Sequence, residues 1–181
     1  MAARATMTGL ITLVRGLIND PVGSSQQYTD EAIEDQLDLA REYHHISALT
    51  ALPEPAGTQL KFKSEHRYWE SDVSLSDPAG TVLTPASSDP ISGYFVFGST
   101  QSAVYATGFT YDVYAAAAEL LTLWAGRIEQ DVLKFSADGS SYEFSGVRDA
   151  KLRLAAQYRA RSSAFGAIAS VGLVRDDHYV D

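Results

Sequence analysis

The stretch that decides the fold is residues 110–128, which read TYDVYAAAAELLTLWAGRI. Its apolar residues recur at helical spacing and form one broad hydrophobic face. Thr110 can cap the helix, Asp112 suits the positive end of the helix dipole, and the alanine run has high helix propensity. The stretch therefore predicts an amphipathic helix, and its expected inward residues are Val113, Ala116, Ala117, Leu120, Leu121 and Trp124.

Three further segments show helical periodicity and are expected to pack against this helix. Residues 9–19 and 29–45 each carry an apolar stripe, and Thr29 can cap the second of them. Residues 146–162, which follow Ser145 as a possible cap, supply another apolar face. The expected core positions in the three segments are Leu10, Leu13, Val14 and Leu17; Ile33, Leu37 and Ala40; and Val147, Leu152, Leu154, Ala155 and Tyr158.

Between the second and third helices the pattern changes to that of short strands. Residues 56–109 lose the helical period, and Asp77–Gly80 has turn composition. A hairpin is also expected around residues 132–144. The sequence thus predicts an α+β fold, mainly α: a small bundle of about four helices with an inserted antiparallel β module and an extended C-terminal tail. One domain is expected over residues 1–162, followed by a tail over 163–181.

Composition narrows the function classes. The chain has 181 residues, no cysteine, a net charge of −9 and a pI near 4.8. The acidic balance argues against a broad nucleic-acid-binding face, because phosphate contacts need Lys and Arg. The absence of cysteine removes disulfides, thiolate chemistry and Cys-ligated zinc. No apolar run is long enough to span a bilayer, so no membrane association is expected.

The residues that carry catalytic chemistry do not form a recognisable motif. The four histidines lack metal-ligand spacing, and neither a phosphate-binding glycine loop nor a Gly-x-Ser-x-Gly elbow is present. Glu65 and Glu70 could form a carboxylate pair, although such residues in strands commonly face solvent. Four aromatic residues of the β module could be either a sugar-binding platform or its core: Trp69, Tyr94, Phe95 and Phe97. We therefore expect no enzyme activity, no cofactor and no metal.

The order of several short segments resembles the head–tail connector, or adaptor, proteins of tailed bacteriophages. The most specific of them are Tyr111-Asp112-Val113-Tyr114 with the following alanines, and Ser136-Ala137-Asp138-Gly139. The other segments, in chain order, are LITLVRGLIND at 10–20, YTDEAI at 28–33, YWE at 68–70, LTPASSD at 83–89 and AAQYRAR at 155–161. The resemblance covers roughly residues 9–162, and the central β module is larger than in the purely helical members of this group.

The resemblance implies a structural virion protein in the neck of the particle, assembled in the host cytoplasm. Its copies would form a ring of about twelve under the portal protein. The ring would extend the DNA channel without gripping DNA and would give a platform to stopper or tail proteins. The alternatives are a stopper or tail-completion ring of the same neck and, from a different class, a small ligand-binding or enzymatic domain that uses the aromatic β module.

Candidate contact residues follow from charge and hydropathy. The segment 29–45 is acidic and 146–162 is basic, so they are expected to oppose each other within one subunit or between neighbours. The candidates are Glu34, Asp38, Arg148, Arg153 and Arg159 for the inter-subunit contact, and Asp35 and Glu42 for the channel wall. The apolar tail has no helical stripe and suits a partner surface. Its candidate portal-binding residues are Phe165, Ile168, Val171, Leu173 and Val174.

Overall fold

The computed structural model of the protein describes residues 6–55, 58–135 and 141–162, with side chains left undescribed between 129 and 145. Within these ranges the fold is α+β, with four helices and two antiparallel sheets. The helices are α1 (Met7–Ile18), α2 (Asp30–Leu39), α3 (Val113–Phe135) and α4 (Ser141–Arg159). The strands are β1 (Arg41–Ala48), β2 (Thr50–Ala51), β3 (Lys61–Lys63), β4 (Ser74–Ser76), β5 (Val82–Leu83), β6 (Ser87–Asp89), β7 (Tyr94–Val96) and β8 (Tyr105–Tyr111).

The helices form a bundle centred on α3, against which α1, α2 and α4 all pack. The expected apolar faces of α1, α2 and α3 are confirmed, because their larger side chains are buried together. The expected face of α4 is only partly confirmed, since Ala155 and Tyr158 are buried whereas Val147 and Leu152 are exposed. The bundle core comprises Leu10, Val14, Ile18, Ile33, Leu37, Val113, Ala116, Ala117, Leu120, Leu121, Ala155 and Tyr158, among others.

The β module has its own core between two four-stranded sheets. One sheet has the strand order β1-β8-β4-β5 and the other has β2-β3-β7-β6. The indole of Trp69 is fully buried, and its Nε1–H donates to Ser64 Oγ at 3.0 Å. Hydrophobic burial holds this module together, and its core comprises Leu49, Phe62, Trp69, Leu75, Phe95, Phe97, Val104 and Ala106.

Asp112 joins the two parts. Strand β8 runs directly into α3, and the Asp112 carboxylate caps that helix by accepting from the amides of Tyr114 and Ala115 at 3.0 and 2.9 Å. The Asp112 amide donates to the carbonyl of Ala40 at the end of α2. The N-cap expected at Thr110 is therefore wrong by two residues, because Thr110 is still paired in β8.

Two element predictions need correction. The helix expected over 29–45 ends at Leu39, and residues 41–48 form β1 against β8. Aromatic and β-branched residues in 43–46 favour a strand, and pairing with β8 supplies the backbone hydrogen bonds. The hairpin expected over 132–144 is also wrong, because its two expected strands lie in α3 and α4. Apolar runs of three or four residues do not distinguish a strand from a helix.

A buried polar network links α1 to α2. The Arg15 guanidinium donates to Asp20 Oδ2 at 3.2 Å, to the Tyr28 carbonyl at 2.8 Å and to Asp30 Oδ1 at 2.6 Å. Asp20 in turn accepts from the amides of Gln27 and Tyr28. This network fixes the loop between the helices, because every charge in it has a close partner.

Candidate functional site

The acidic residues predicted to form a contact surface lie on two elements. Helix α2, capped by the Thr29 hydroxyl, carries the half-buried Glu34 and the exposed Asp35 and Asp38. Glu42 lies on β1 instead, opposite Thr110 of β8. Its exposed carboxylate is 3.9 Å from His44 Nε2. The structure therefore places the two predicted channel residues, Asp35 and Glu42, on different elements.

The basic residues of α4 make defined contacts inside the subunit. Arg159 binds Glu119 of α3 at 2.9 Å and also donates to Thr122 at 2.9 Å. Arg148 is 3.4 Å from the Asp149 carboxylate, and Arg153 donates to the Asp149 carbonyl at 3.3 Å. Arg159 therefore contributes to the α3–α4 contact, whereas Arg153 is exposed and its own bond is local to α4.

Lys151 of α4 packs on an aromatic ring. Its ammonium lies 3.1 Å from the centre of the Trp124 ring, and burial lowers the pKa of this lysine. A cation over an indole is a favourable contact, so Lys151 also fixes α4 on α3.

Besides Val22, Val82 and Tyr94, the exposed large apolar side chains of the described residues lie at two places on the subunit. Leu39, Tyr43 and Ile46 lie where α2 gives way to β1, with exposed fractions of 79%, 54% and 55%. We call this the α2–β1 patch. The hairpin formed by α3 and α4 exposes Leu123, Val147 and Leu152 by 37–49%, and we call this the α3–α4 patch. Residues 30–48 contain six acidic residues and one arginine, whereas residues 141–159 contain four basic and two acidic residues, so the elements that carry the two patches differ in net charge.

The five predicted portal-binding residues lie outside the described residues. Phe165, Ile168, Val171, Leu173 and Val174 all belong to the segment that follows Ser162. Ser162 itself is buried, and its hydroxyl donates to Asp112 Oδ2 at 2.7 Å. The tail therefore begins at a fixed point beside the start of α3.

Beside the start of α3, the protein has a cleft of about 680 Å³ between the bundle and the β module. We call it the arginine cleft, because Arg41, Arg67 and Arg161 all line it. Its other lining residues are Leu39, Ala40, Glu42, Glu65, His66, Tyr68, Thr110, Tyr111, Asp112 and Tyr114. The guanidinium of Arg41 lies 3.5 Å from the centre of the Phe109 ring. Burial raises the pKa of the Tyr68 hydroxyl, an effect that the neighbouring Arg67 partly opposes.

This cleft was not predictable from the sequence. Its arginines are at positions 41, 67 and 161, and only the junction of three elements brings them together. The one usable signal is that two motifs quoted above each contribute a tyrosine to the cleft. These tyrosines are Tyr68 and Tyr111. The Tyr111 amide donates to the Tyr68 carbonyl at 3.1 Å, which joins the two motifs.

The candidates for catalytic chemistry are not brought together. Of the four aromatic residues that could form a platform or a core, Trp69, Phe95 and Phe97 are buried in the core, whereas Tyr94 is exposed. Of the expected carboxylate pair, Glu65 is exposed at the cleft, whereas Glu70 is buried, contrary to the expectation that both face solvent. Among the described residues no group of three His, Asp or Glu side chains could hold a metal ion. Nor is any helix in these ranges long and apolar enough to cross a membrane.

Comparison of the chain with protein-family models, curated proteins and solved structures finds no match.

Proposed function

We propose that this chain is a structural protein of a tailed-bacteriophage neck, of the adaptor type. In this role, copies of the chain form a closed ring between the portal protein and the tail. The ring extends the DNA channel and gives a platform to stopper or tail proteins. The proposal starts from the order of the motifs along the chain, among them Tyr68–Glu70 and Tyr111–Ala118.

The observation that carries the proposal is the pair of unlike exposed patches. A ring requires a heterologous interface, in which one surface of a subunit binds a different surface of its neighbour. The α2–β1 patch lies on elements with a net negative charge, and α4, which carries two of the three residues of the α3–α4 patch, has a net positive charge. Apolar area at each centre and opposite charge around it suit a contact between the two patches. Two copies of one patch would instead bring like charges together.

The charge of the chain supports the same role. A channel wall that passes DNA should not bind it tightly, and each Lys or Arg that neutralises a phosphate strengthens binding. The exposed Asp35 and Asp38 on α2 and the net charge of −9 are consistent with such a wall. Of the four aromatic residues named for the enzymatic alternative, Trp69, Phe95 and Phe97 lie in the core of the β module, and Tyr94 is exposed.

The interface can be tested by charge reversal. We expect the purified full-length chain to form closed rings, observed by native mass spectrometry and negative-stain microscopy. Arg153→Glu should shift the population towards monomer, most clearly at low salt, because exposed charges are screened as ionic strength rises. Adding Asp38→Lys to Arg153→Glu should restore the ring if the two residues face each other across the interface.

The control is Lys61→Glu, which reverses an exposed cation on β3 and breaks its ion pair with Glu54 within the β module, so the fold of this variant is checked by thermal unfolding. It should leave the ring unchanged. A monomer under all conditions, or a ring that Arg153→Glu leaves unchanged, would contradict the proposed interface. The position of the ring in the virion then separates an adaptor, which contacts the portal, from a stopper or tail-completion ring.

A further inference from the structure

The arginine cleft has the chemistry of a site for a carboxylate-bearing peptide. Arg41, Arg67 and Arg161 reach it from β1, from the loop before Trp69 and from the end of α4. In the part of the chain that the structure describes, none of these three guanidinium groups forms an ion pair. Guanidinium groups bind carboxylates through paired, charge-assisted hydrogen bonds.

Of the three carboxylates that line the cleft, Asp112 and Glu42 have partners other than these arginines, and Glu65 is exposed. Asp112 accepts from the Tyr114 and Ala115 amides through Oδ1 and from the Ser162 hydroxyl through Oδ2. Glu42 lies beside His44. The cleft also offers the tyrosine rings at 68 and 114 as an apolar wall. A ligand that joins acidic and apolar residues would complement both features.

The chain itself supplies such a segment. Residues 176–181 read DDHYVD, which places three aspartates and two apolar residues within six positions. Ser162, bonded to Asp112, fixes the start of the tail at the rim of the cleft. The 14 residues from Ser162 to Asp176 span at most about 50 Å when extended, so the segment can fold back to the cleft of the same subunit.

We propose that the acidic segment 176–181 occupies the arginine cleft of its own subunit. The aspartates bind the three arginines, and Tyr179 and Val180 pack on the tyrosine wall. The apolar residues 165–174 then form a loop that is anchored at both ends. The inference concerns the isolated subunit and does not depend on the proposed function in a phage neck.

Disulfide trapping tests this placement directly, because the chain has no natural cysteine. In the full-length chain, Glu65→Cys is combined with His178→Cys, and the rate of intrachain disulfide formation is followed by non-reducing electrophoresis and peptide mass mapping. The control pair is Glu31→Cys with His178→Cys. Glu31 is an exposed glutamate near the start of α2. Its Cα lies about 12 Å along the helix axis from the Cα of Leu39, which is at the other end of the helix.

We expect the 65–178 disulfide to form about tenfold faster than the 31–178 disulfide, a ratio equivalent to about 1.4 kcal/mol of docking free energy. Adding Arg67→Glu and Arg161→Glu, or adding molar salt, should remove this advantage. Equal rates for the two pairs would overturn the proposal. A disulfide that forms only between two chains would overturn it as well, because the segment would then occupy a neighbour's cleft.

A second measurement avoids new cysteines. The triple variant Asp176→Asn, Asp177→Asn, Asp181→Asn keeps the size of the segment and removes its charge. In the full-length chain it should increase hydrogen exchange in residues 65–68 and 39–42 while leaving the bundle core unchanged. No change at the cleft would count against docking there.

Discussion

At the scale of single residues, the surroundings of His44 change the acidity of its imidazole. It lies on β1, its Nε2 is 2.8 Å from Thr110 Oγ1, and its ring stacks on His66 with the centres 3.8 Å apart. The edge of the Trp69 indole also contacts it. Burial lowers the pKa of His44, the positive charge of His66 adds to this, and Glu42 opposes it.

The lowered pKa of His44 predicts a pH dependence of stability. The unfolded chain binds a proton at His44 near pH 6.5, whereas the folded chain binds it only at lower pH. The stability that depends on a neutral His44 is therefore fully present above about pH 6.5, and it is lost as the pH falls through the lowered pKa of the folded state. We expect the midpoint of urea unfolding to fall between about pH 7.5 and about pH 5, and to fall less in His44→Gln. The exposed His45→Gln is the control, and an equal flattening in both variants would contradict this role.

At the scale of elements, the helices with a broad apolar face were predictable from sequence. The faces of α1 and α3 follow from hydrophobic period alone, and Thr29 caps α2 as expected. Strand β1 was not predictable, since its pairing partner is β8, more than 50 residues away. The strand propensity of residues 43–46 is a weak signal alone, and the distant partner β8 decides that a strand forms.

Buried polar contacts were also not predictable, because their partners come from other parts of the chain. Arg15 is buried because Asp20 and Asp30 surround it, and a lone arginine on an apolar helix gives no sign of such partners. Val147 and Leu152 on α4 were expected to face the core, but the structure exposes them. Apolar residues on a helix need not face their own core. The arginine cleft could not be predicted either, because its residues come from three distant parts of the chain.

The turn that carries Gly93 gives a prediction at the element scale. Gly93 has a positive φ of 75°, and a Cβ added there would lie 2.6 Å from the carbonyl oxygen of His66. Gly93→Ala therefore strains the backbone and pushes the 64–69 loop away from β7. We expect a loss of about 1–3 kcal/mol in the free energy of unfolding, measured by urea denaturation. Gly98→Ala is the matched control, because a Cβ there meets nothing within 4 Å. Equal losses in both variants would contradict the steric argument.

At the scale of the whole molecule, Asp112 joins the bundle to the β module. The Asp112 amide binds the end of α2, its carboxylate caps α3, and the same carboxylate holds Ser162 after α4. Ser162, the residue before the tail, is therefore held beside the start of α3. In a ring, this arrangement would present every copy of the tail at the same height. Repeated weak contacts then add through avidity.

The last prediction concerns what the tail does in that ring. We expect the apolar residues of 163–181 to make the portal contact, so Phe165→Ser, Ile168→Ser and Val171→Ser together should abolish it. Burying three such side chains contributes about 4 kcal/mol per subunit before ordering costs, so binding to portal rings should fall at least about a hundredfold. Co-sedimentation with portal rings and attachment to DNA-filled heads measure the loss.

The matched control changes only small residues of the same segment: Ala164→Ser, Ala167→Ser and Ala169→Ser. It keeps the length and the added hydroxyls but removes little apolar area, so docking should persist. Both triple variants should still form rings, because the interface proposed for the ring lies on the α2–β1 and α3–α4 patches. If the first variant docks normally, the portal contact lies elsewhere, and the β module of residues 56–109 becomes the next surface to test. If it loses the ring as well, the tail belongs to the inter-subunit interface, since the same substitutions would then act before any portal is present.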